Sequence, residues 1–375
     1  MKLAIVIGTH AEFLKMMPLM LELEKQKIKY FLIATGQHDL SKQRIEFKIK
    51  TACIYLDKRE GFKSNTGNAI KFAIKSITPL TDVLSALKPD FVLYHGDTMS
   101  TVIAAIATRK AHLIGVHVEA GLRSKNLLEP FPEEIARIIA DRLCDIAFAP
   151  SKKSVARLAN KKYKYCVGNT VFDSIKIVEK NKLFLKKLDQ KEKEFALASI
   201  HRHENIKSRE RMLKIINILK ASPHPVRWYL HKNTEAKLAE YEINLTKIPG
   251  QKIIIKAPVS YSMFLALIEN SSLVFTDGGS MQEECAYFDK PCVILRMNTE
   301  REELVHRKQF LSKLSIKRTK EWLYYLGLVK FTVLENSVFV NPYYKKDTSK
   351  QIIAILLQIH NKYVPVIHNI EETKK

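Results

Sequence analysis

The chain is short of the features that would assign it to several common classes. Its five cysteines, Cys53, Cys144, Cys166, Cys285 and Cys292, are odd in number and none stands in C-x-x-C spacing. That disfavours a disulfide framework and a structural zinc site, so no metal is expected and a reducing cytoplasm fits. No apolar run approaches the ~18 residues of a membrane span. The run before Gly8 is only five residues long, too short for a signal segment. A cytoplasmic protein without membrane insertion is the expectation. A G-x-G-x-x-G dinucleotide fingerprint is absent, and no internal repeat, low-complexity tract or Gly/Ser-rich linker stands out. Acidic residues are in deficit, 39 against 62 Lys and Arg, which leaves a formal charge of +23. Such a surplus fits nucleic acid, an anionic surface or an anionic small substrate. The lysines, however, are scattered in pairs such as Lys152-Lys153, Lys161-Lys162, Lys186-Lys187 and Lys345-Lys346, without a basic block or interleaved aromatics. A solvated lysine-rich surface is favoured, and no nucleic-acid partner is expected.

The 375 residues, 46% of them hydrophobic, exceed what one core usually supports. Leu3–Ile7, Glu12–Gln26 and Tyr30–Ala34 read as an opening βαβ unit. Strands at Phe91–Tyr94, Ile114–Val118 and Ile146–Ala149 alternate with helices at Thr101–Lys110 and Pro132–Leu143. The alternation then restarts, with strands at Phe195–Ile200, Val226–Leu230, Lys252–Lys256, Leu273–Thr276 and Cys292–Leu295. Helices at Val171–Lys180, Arg209–Lys220, Ser262–Glu269 and Met281–Tyr287 fall among them. Two α/β domains follow, with the active cleft expected between them. Glu302–Phe331 does not parse cleanly, and the amphipathic segment Lys350–His360 needs something to pack on.

Chemistry concentrates where strands end. Asp97, Glu119 and Glu133 lie in YHGDT, HVEAGLR and EPFPEE, beside His95, His117 and Arg123. Ligands of open parallel sheets bind outside the carboxyl ends of the strands, so these acids are expected to converge. Taken singly, each has an ordinary alternative as a helix cap, a strand end or a first-turn residue. Two turns look suited to anions. Gly8-Thr9-His10-Ala11-Glu12 would aim backbone N–H groups at a ligand, with Lys15 one turn on, although an ordinary βα turn is equally consistent. Thr276-Asp277-Gly278-Gly279-Ser280 opens a helix carrying Glu284, a carboxylate suited to ribose hydroxyls. His201-Arg202-His203-Glu204-Asn205 would bring imidazoles and a guanidinium near a diphosphate.

With these motifs in view, the chain resembles the non-hydrolysing UDP-N-acetylglucosamine 2-epimerase family nearly end to end. GTHAEFLKM is similar to the family's GTRPEAIKM and YHGDTMST to its HGDTTTT. HVEAGLRSKNLLEPFPEEIARIIADRLCDIAFAPS follows its longest signature, and VGNTVFDS, HRHEN, TDGGSMQEE, TEREE and NPY come in the same order. The resemblance implies an α/β fold of two Rossmann-like domains in a glycosyltransferase-B-type arrangement with the active site in the interdomain cleft. The domains would be 1–167 plus a C-terminal helix at about 349–375, and 168–348. It implies interconversion of UDP-GlcNAc and UDP-ManNAc by elimination and re-addition of UDP through a 2-acetamidoglucal, feeding surface polysaccharide. Neither metal nor nicotinamide takes part, and a homodimer is expected. Asp97, Glu119, Glu133 and His201 match the catalytic residues. His10, Lys15, Arg202, His231, Phe264, Gly279, Ser280, Glu284 and Arg301 match the UDP-sugar-binding set, with Phe264 against uracil and Glu284 on the ribose.

Several positions depart from that pattern. The family's first-turn arginine is His10, which lacks the permanent charge. The serine of TDSGG has moved to Ser280, HRHEN is followed by Ile206-Lys207, and Arg307–Lys330 has no recognisable counterpart. Two rival readings remain: a hydrolysing 2-epimerase releasing ManNAc and UDP, whose strand end typically reads GDR-x-E where this chain has Gly96-Asp97-Thr98, and an epimerase of a UDP-diacetamido-uronic acid.

Overall fold

The computed structural model describes residues 1–56, 66–127, 129–180, 194–245, 253–306, 308–328 and 339–372. It divides into two compact units, Met1–Arg123 with Phe131–Ser174 and Tyr343–Lys375, and Ser124–Pro130 with Ile175–Pro342. Lys186-Lys187, Lys252 and Arg307 lie outside the described residues.

Unit 1 holds a parallel sheet of β1 (Leu3–Ile7), β2 (Tyr30–Ala34), β3 (Cys53–Tyr55), β4 (Phe91–His95), β5 (Gly115–Val118), β6 (Ile146–Ala149) and β7 (Tyr163–Cys166). Their order is β3-β2-β1-β4-β5-β6-β7. Every residue of β1 is buried, because helices cover both faces of a parallel sheet and leave no place for alternation. Each such side chain contributes about 1.5–3 kcal/mol of burial. Unit 2 repeats the plan with β8 (Ala196–Ser199), β9 (Val226–Tyr229), β10 (Ile253–Lys256), β11 (Leu273–Thr276), β12 (Cys292–Ile294) and β13 (Gln309–Leu311), ordered β10-β9-β8-β11-β12-β13. Both units are therefore doubly wound. The chain leaves β1 toward β2 on one side and returns to β4 on the other, and β8 divides β9 from β11 in the same way. These are the switch points at which such sheets offer a crevice.

The described part of the unparsed region holds a 3-10 turn, Glu302–Leu304, then β13 and a helix, Ile316–Leu328, whose Trp322 stacks on Phe310 at 5.2 Å; Lys330 and Phe331 lie outside the described residues. β3, β7 and β13 escaped the pattern reading because they are three or four residues long and only partly buried. The last helix, Thr348–Glu372, packs on the first helix of unit 1, His10–Lys25, and buries Ile352, Ile353 and Leu356 completely. Its start is tied down by Thr348 Oγ1 donating to the Val167 carbonyl at 2.9 Å and by Ser349 N–H donating to Asp173 at 2.7 Å. Among the described residues no helix is long and apolar enough to cross a membrane.

Candidate functional site

In unit 1 the site begins with a helix cap. Thr9 precedes His10–Lys25, and Glu12 sits three residues on, the spacing of a capping box. One Glu12 oxygen accepts from the Gly8 and Thr9 amides at 2.9 and 2.8 Å, and the other accepts from Thr98 Oγ1 at 2.7 Å. Of the amides of this turn, its own glutamate thus occupies those of Gly8 and Thr9. Burial raises the Glu12 carboxyl above its ordinary range, opposed by the hydrogen bond from Thr98 and those from Gly8 and Thr9. His10 is exposed, with Nε2 2.8 Å from the Asp39 carbonyl and its ring 4.7 Å from that of His38.

Beyond the turn, buried Lys15 donates to buried Glu119, which also accepts from Asn169 Nδ2 at 2.6 Å. Glu119 follows β5 with φ +69°, a left-handed conformation that costs a non-glycine residue on the order of 1 kcal/mol. Two side chains thus hold its carboxylate where the backbone is strained. His95, ending β4, places Nε2 3.6 Å from the same carboxylate. Burial drives His95 down to about 3, against the pull of Glu119. Asp97 pairs with Arg137, which also donates to Glu134 at 2.9 Å. Glu133, Glu134, Arg137 and Asp141 ride one helix, Glu133–Leu143, and the buried Glu134, Arg137 and Asp141 recur at the spacing of one face. Glu133 opens that helix, where its dipole favours a negative charge.

In unit 2 the buried Asp277 carboxylate organises the turn after β8. It accepts from the amides of His201 and Arg202 at 3.1 and 3.0 Å and from Asn205 Nδ2 at 2.9 Å. His201 is thereby left exposed with its ring 4.5 Å from that of His231. Burial, and then the charge of His201, lowers His231 to about 4. The helix Gly279–Tyr287 starts after β11 at Gly278, which provides no side-chain cap. The Gly279 and Ser280 amides have no partner among the described residues, so this helix start is open to an anion. One turn inside, buried Glu284 accepts from Tyr261 Oη at 3.1 Å. Phe264 meets Tyr229 edge-on at 6.1 Å and is partly exposed.

Arg301 is buried rather than presented as an open cation. Its Nε lies 2.9 Å from Glu283, and Nη1 pairs with Glu300. Glu300 also meets Arg296 at 2.9 Å and Arg202 Nη2 at 3.9 Å. A hollow in unit 2 is lined by Lys125, Asn126, Met297, Thr299, Glu302 and Lys313, past the carboxyl ends of β12 and β13.

A comparison with family models matches residues 21–357 to UDP-N-acetylglucosamine 2-epimerase. The chain belongs to that family. A Methanococcus maripaludis protein named UDP-N-acetylglucosamine 2-epimerase is 34% identical over 321 residues, 80% of this chain and 85% of its own. A Pseudomonas aeruginosa UDP-2,3-diacetamido-2,3-dideoxy-D-glucuronate 2-epimerase is 32% identical over 320 residues, 81% of this chain and 86% of its own. The Neisseria meningitidis UDP-GlcNAc 2-epimerase, solved bound to UDP-GlcNAc, superposes with a TM-score of 0.82 at 28% identity. The match covers 96% of this chain and all of that one. The fold is thus of the glycosyltransferase-B-like α/β class of these epimerases.

Within unit 1 the fold places Lys15, Asp97 and Glu119 at the carboxyl ends of β1, β4 and β5, with Glu133 opening the helix whose Arg137 meets Asp97. Within unit 2 it gathers His201, Arg202, His231, Gly279 and Ser280 at the β8/β11 switch point, with Phe264 and Glu284 on the neighbouring helices. The partners Glu12, Arg137, Asp141, Asn169 and Tyr261 were not singled out from sequence. Thr9-x-x-Glu12 could have been read as a capping box. Arg137 and Asp141 could have been read as charges repeated on a helix face.

Proposed function

We propose that this protein interconverts UDP-N-acetylglucosamine and UDP-N-acetylmannosamine without net hydrolysis. The observation that carries this reading is the acid set at the ends of β4 and β5, Asp97 on Arg137 and Glu119 on Lys15 and Asn169, in a member of this family. A carboxylate takes the C2 proton while the C1–oxygen bond to UDP breaks, leaving a C1=C2 glycal. UDP then re-adds at C1 as a proton is delivered to the other face of C2. Asp97 is the leading proton-transfer group, and Glu119 and Glu133 serve the sugar. His201, Arg202 and the open amides of Gly279 and Ser280 receive the departing diphosphate, where donors stabilise developing charge. Lys15 and Arg301 act on it through fixed charge, and His10 contributes a donor. Glu284, oriented by Tyr261, takes the ribose; Phe264 lies against uracil, and His231 backs His201. The reading includes a cytoplasmic homodimer without a nucleic-acid partner, which light scattering and a DNA-retention assay would check.

The second reading, a UDP-diacetamido-uronic acid substrate, is favoured by the 32% identity to the Pseudomonas protein and by the basic surface. A proton NMR time course in D2O with each sugar nucleotide separates them. UDP-N-acetylmannosamine bearing deuterium at C2 supports the proposal. Free N-acetylmannosamine plus UDP would make the enzyme hydrolytic, and turnover of the uronic acid alone would install the second reading.

A further inference from the structure

We propose that His117, with Asp141, clamps the two turns that carry Asp97 and Glu119 and acts as a positioning residue for the reaction proposed above, on which its catalytic consequence rests. His117 lies in β5, fully buried, and touches no acid of the proposed proton-transfer set. Its Nδ1 is 2.7 Å from Asp141 Oδ1, and its Nε2 is 2.8 Å from the Gly96 carbonyl. That carbonyl belongs to the peptide bond that carries the Asp97 amide, so the contact fixes the plane from which Asp97 projects. On its other side Asp141 accepts from the Gly121 amide at 3.3 and 3.1 Å, two residues past Glu119. Arg123 Nη1 adds a third contact to Asp141 at 2.6 Å. One side-chain pair therefore spans both strand ends.

Both turns need such a hold. Gly96 and Gly121 have φ +71° and +80°, and Glu119 between β5 and Gly121 is left-handed too. A Cβ at Gly121 would come 2.3 Å from the Ser154 carbonyl oxygen, so the second turn is also wedged from below. Pairing of β4 with β5 stops with the Gly96 amide donating to Val118, the Ala120 amide still reaches the Phe148 carbonyl at 2.9 Å, and beyond these the two turns are tied to each other through side chains.

The arrangement also fixes a proton of the ring. Burial pushes the Asp141 carboxyl up, but the hydrogen bond and charge of His117, together with Arg123, outweigh it and hold Asp141 below its ordinary range. The Gly96 oxygen is a carbonyl and can only accept, so Nε2 of His117 donates to it. The clamp is a buried ring held between a carboxylate and a carbonyl.

Two substitutions and one spectrum test it. Asn at 117 can reach Asp141 from the Nδ1 position but not Gly96, whereas Gln can reach Gly96 from the Nε2 position. We expect His117→Asn to melt no lower than His117→Gln and to keep its UDP affinity while kcat and solvent-deuterium wash-in at C2 fall on the order of 10²-fold, the usual effect of a small misplacement. His117→Gln should recover most of that loss. Selective 15N-histidine labelling should show the Nε2 of His117 carrying a proton, its signal assigned by its loss in the variants. A His117→Asn kcat within about two-fold of wild type, or a His117 ring whose Nε2 carries no proton, would overturn the clamp. So would parallel loss of kcat and melting temperature in both variants. Should the wild type leave every UDP-sugar unchanged, the activity reading fails, and the ring nitrogens still report on the clamp.

Discussion

Gly279→Ala tests the packing of the helix start in unit 2. A Cβ at Gly279 would sit 2.3 Å from Arg301 Nη1, 2.7 Å from Cζ and 2.8 Å from Glu300 Oε1. None of these atoms can yield easily, because Arg301 is tied to Glu283 as well as Glu300, and Glu300 to Arg296. Overpacking ordinarily costs about 1–3 kcal/mol, and forcing apart a buried ion network belongs at the upper end, about 3 kcal/mol. For a unit of this size, about 2–4 °C per kcal/mol gives a loss of roughly 6–12 °C. The control is one residue away: at Gly278 the nearest contact is 3.4 Å and φ is −78°, so Gly278→Ala should cost less than about 0.5 kcal/mol. Both tryptophans, Trp228 and Trp322, lie in unit 2, so tryptophan fluorescence melts report this unit alone. A Gly279→Ala protein melting within 2 °C of wild type, or a Gly278→Ala protein equally damaged, refutes the reasoning.

Asp97→Asn should nearly abolish epimerisation and leave UDP affinity by calorimetry within a few-fold; full activity would remove Asp97 from the mechanism. Glu119→Gly and Glu119→Ala both remove the carboxylate that Lys15 donates to, but glycine relieves the φ +69° strain, so the glycine variant should be more stable by about 1 kcal/mol in denaturant titrations. The buried His95, held at about 3, makes stability depend on pH. The folded value lies below the unfolded ~6.5, so its contribution is complete above pH ~6.5 and lost as pH falls toward 3, by up to about 1.4 kcal/mol per unit. His95→Gln should therefore flatten the acid limb of calorimetric melting between pH 6.5 and 4, and an unchanged limb would contradict the assignment. Tyr261→Phe leaves Glu284 without its 3.1 Å donor and should weaken UDP binding several-fold.

The sheets were legible because a fully buried parallel strand is a continuous apolar word such as Leu3–Ile7, and turn residues bound it on both sides. Edge strands were not. In β7, Tyr163–Cys166, a lysine interrupts the run and every residue stays half-exposed, so neither a two-residue period nor an apolar run survives. The acids were legible as residue types at strand ends, but their cations were not. Lys15 and Glu119 are 104 positions apart, Asp97 and Arg137 40, and only the fold makes them neighbours.

The two turns that looked alike in sequence differ in one physical respect, whether a side chain caps them. Both join a strand to a helix N-terminus beside a switch point. In the first, Glu12 holds the Gly8 and Thr9 amides and Thr9 caps the Glu12 amide, while the Ala11 amide has no partner among the described residues. In the second, Gly278 offers no cap, Gly279 admits no Cβ, and the Gly279 and Ser280 amides stay open beside His201 and Arg202. The glycine turn of unit 2 is thus uncapped by any side chain, whereas the turn of unit 1 is held by its own capping box, and the position of the family pattern's fixed arginine is the exposed His10.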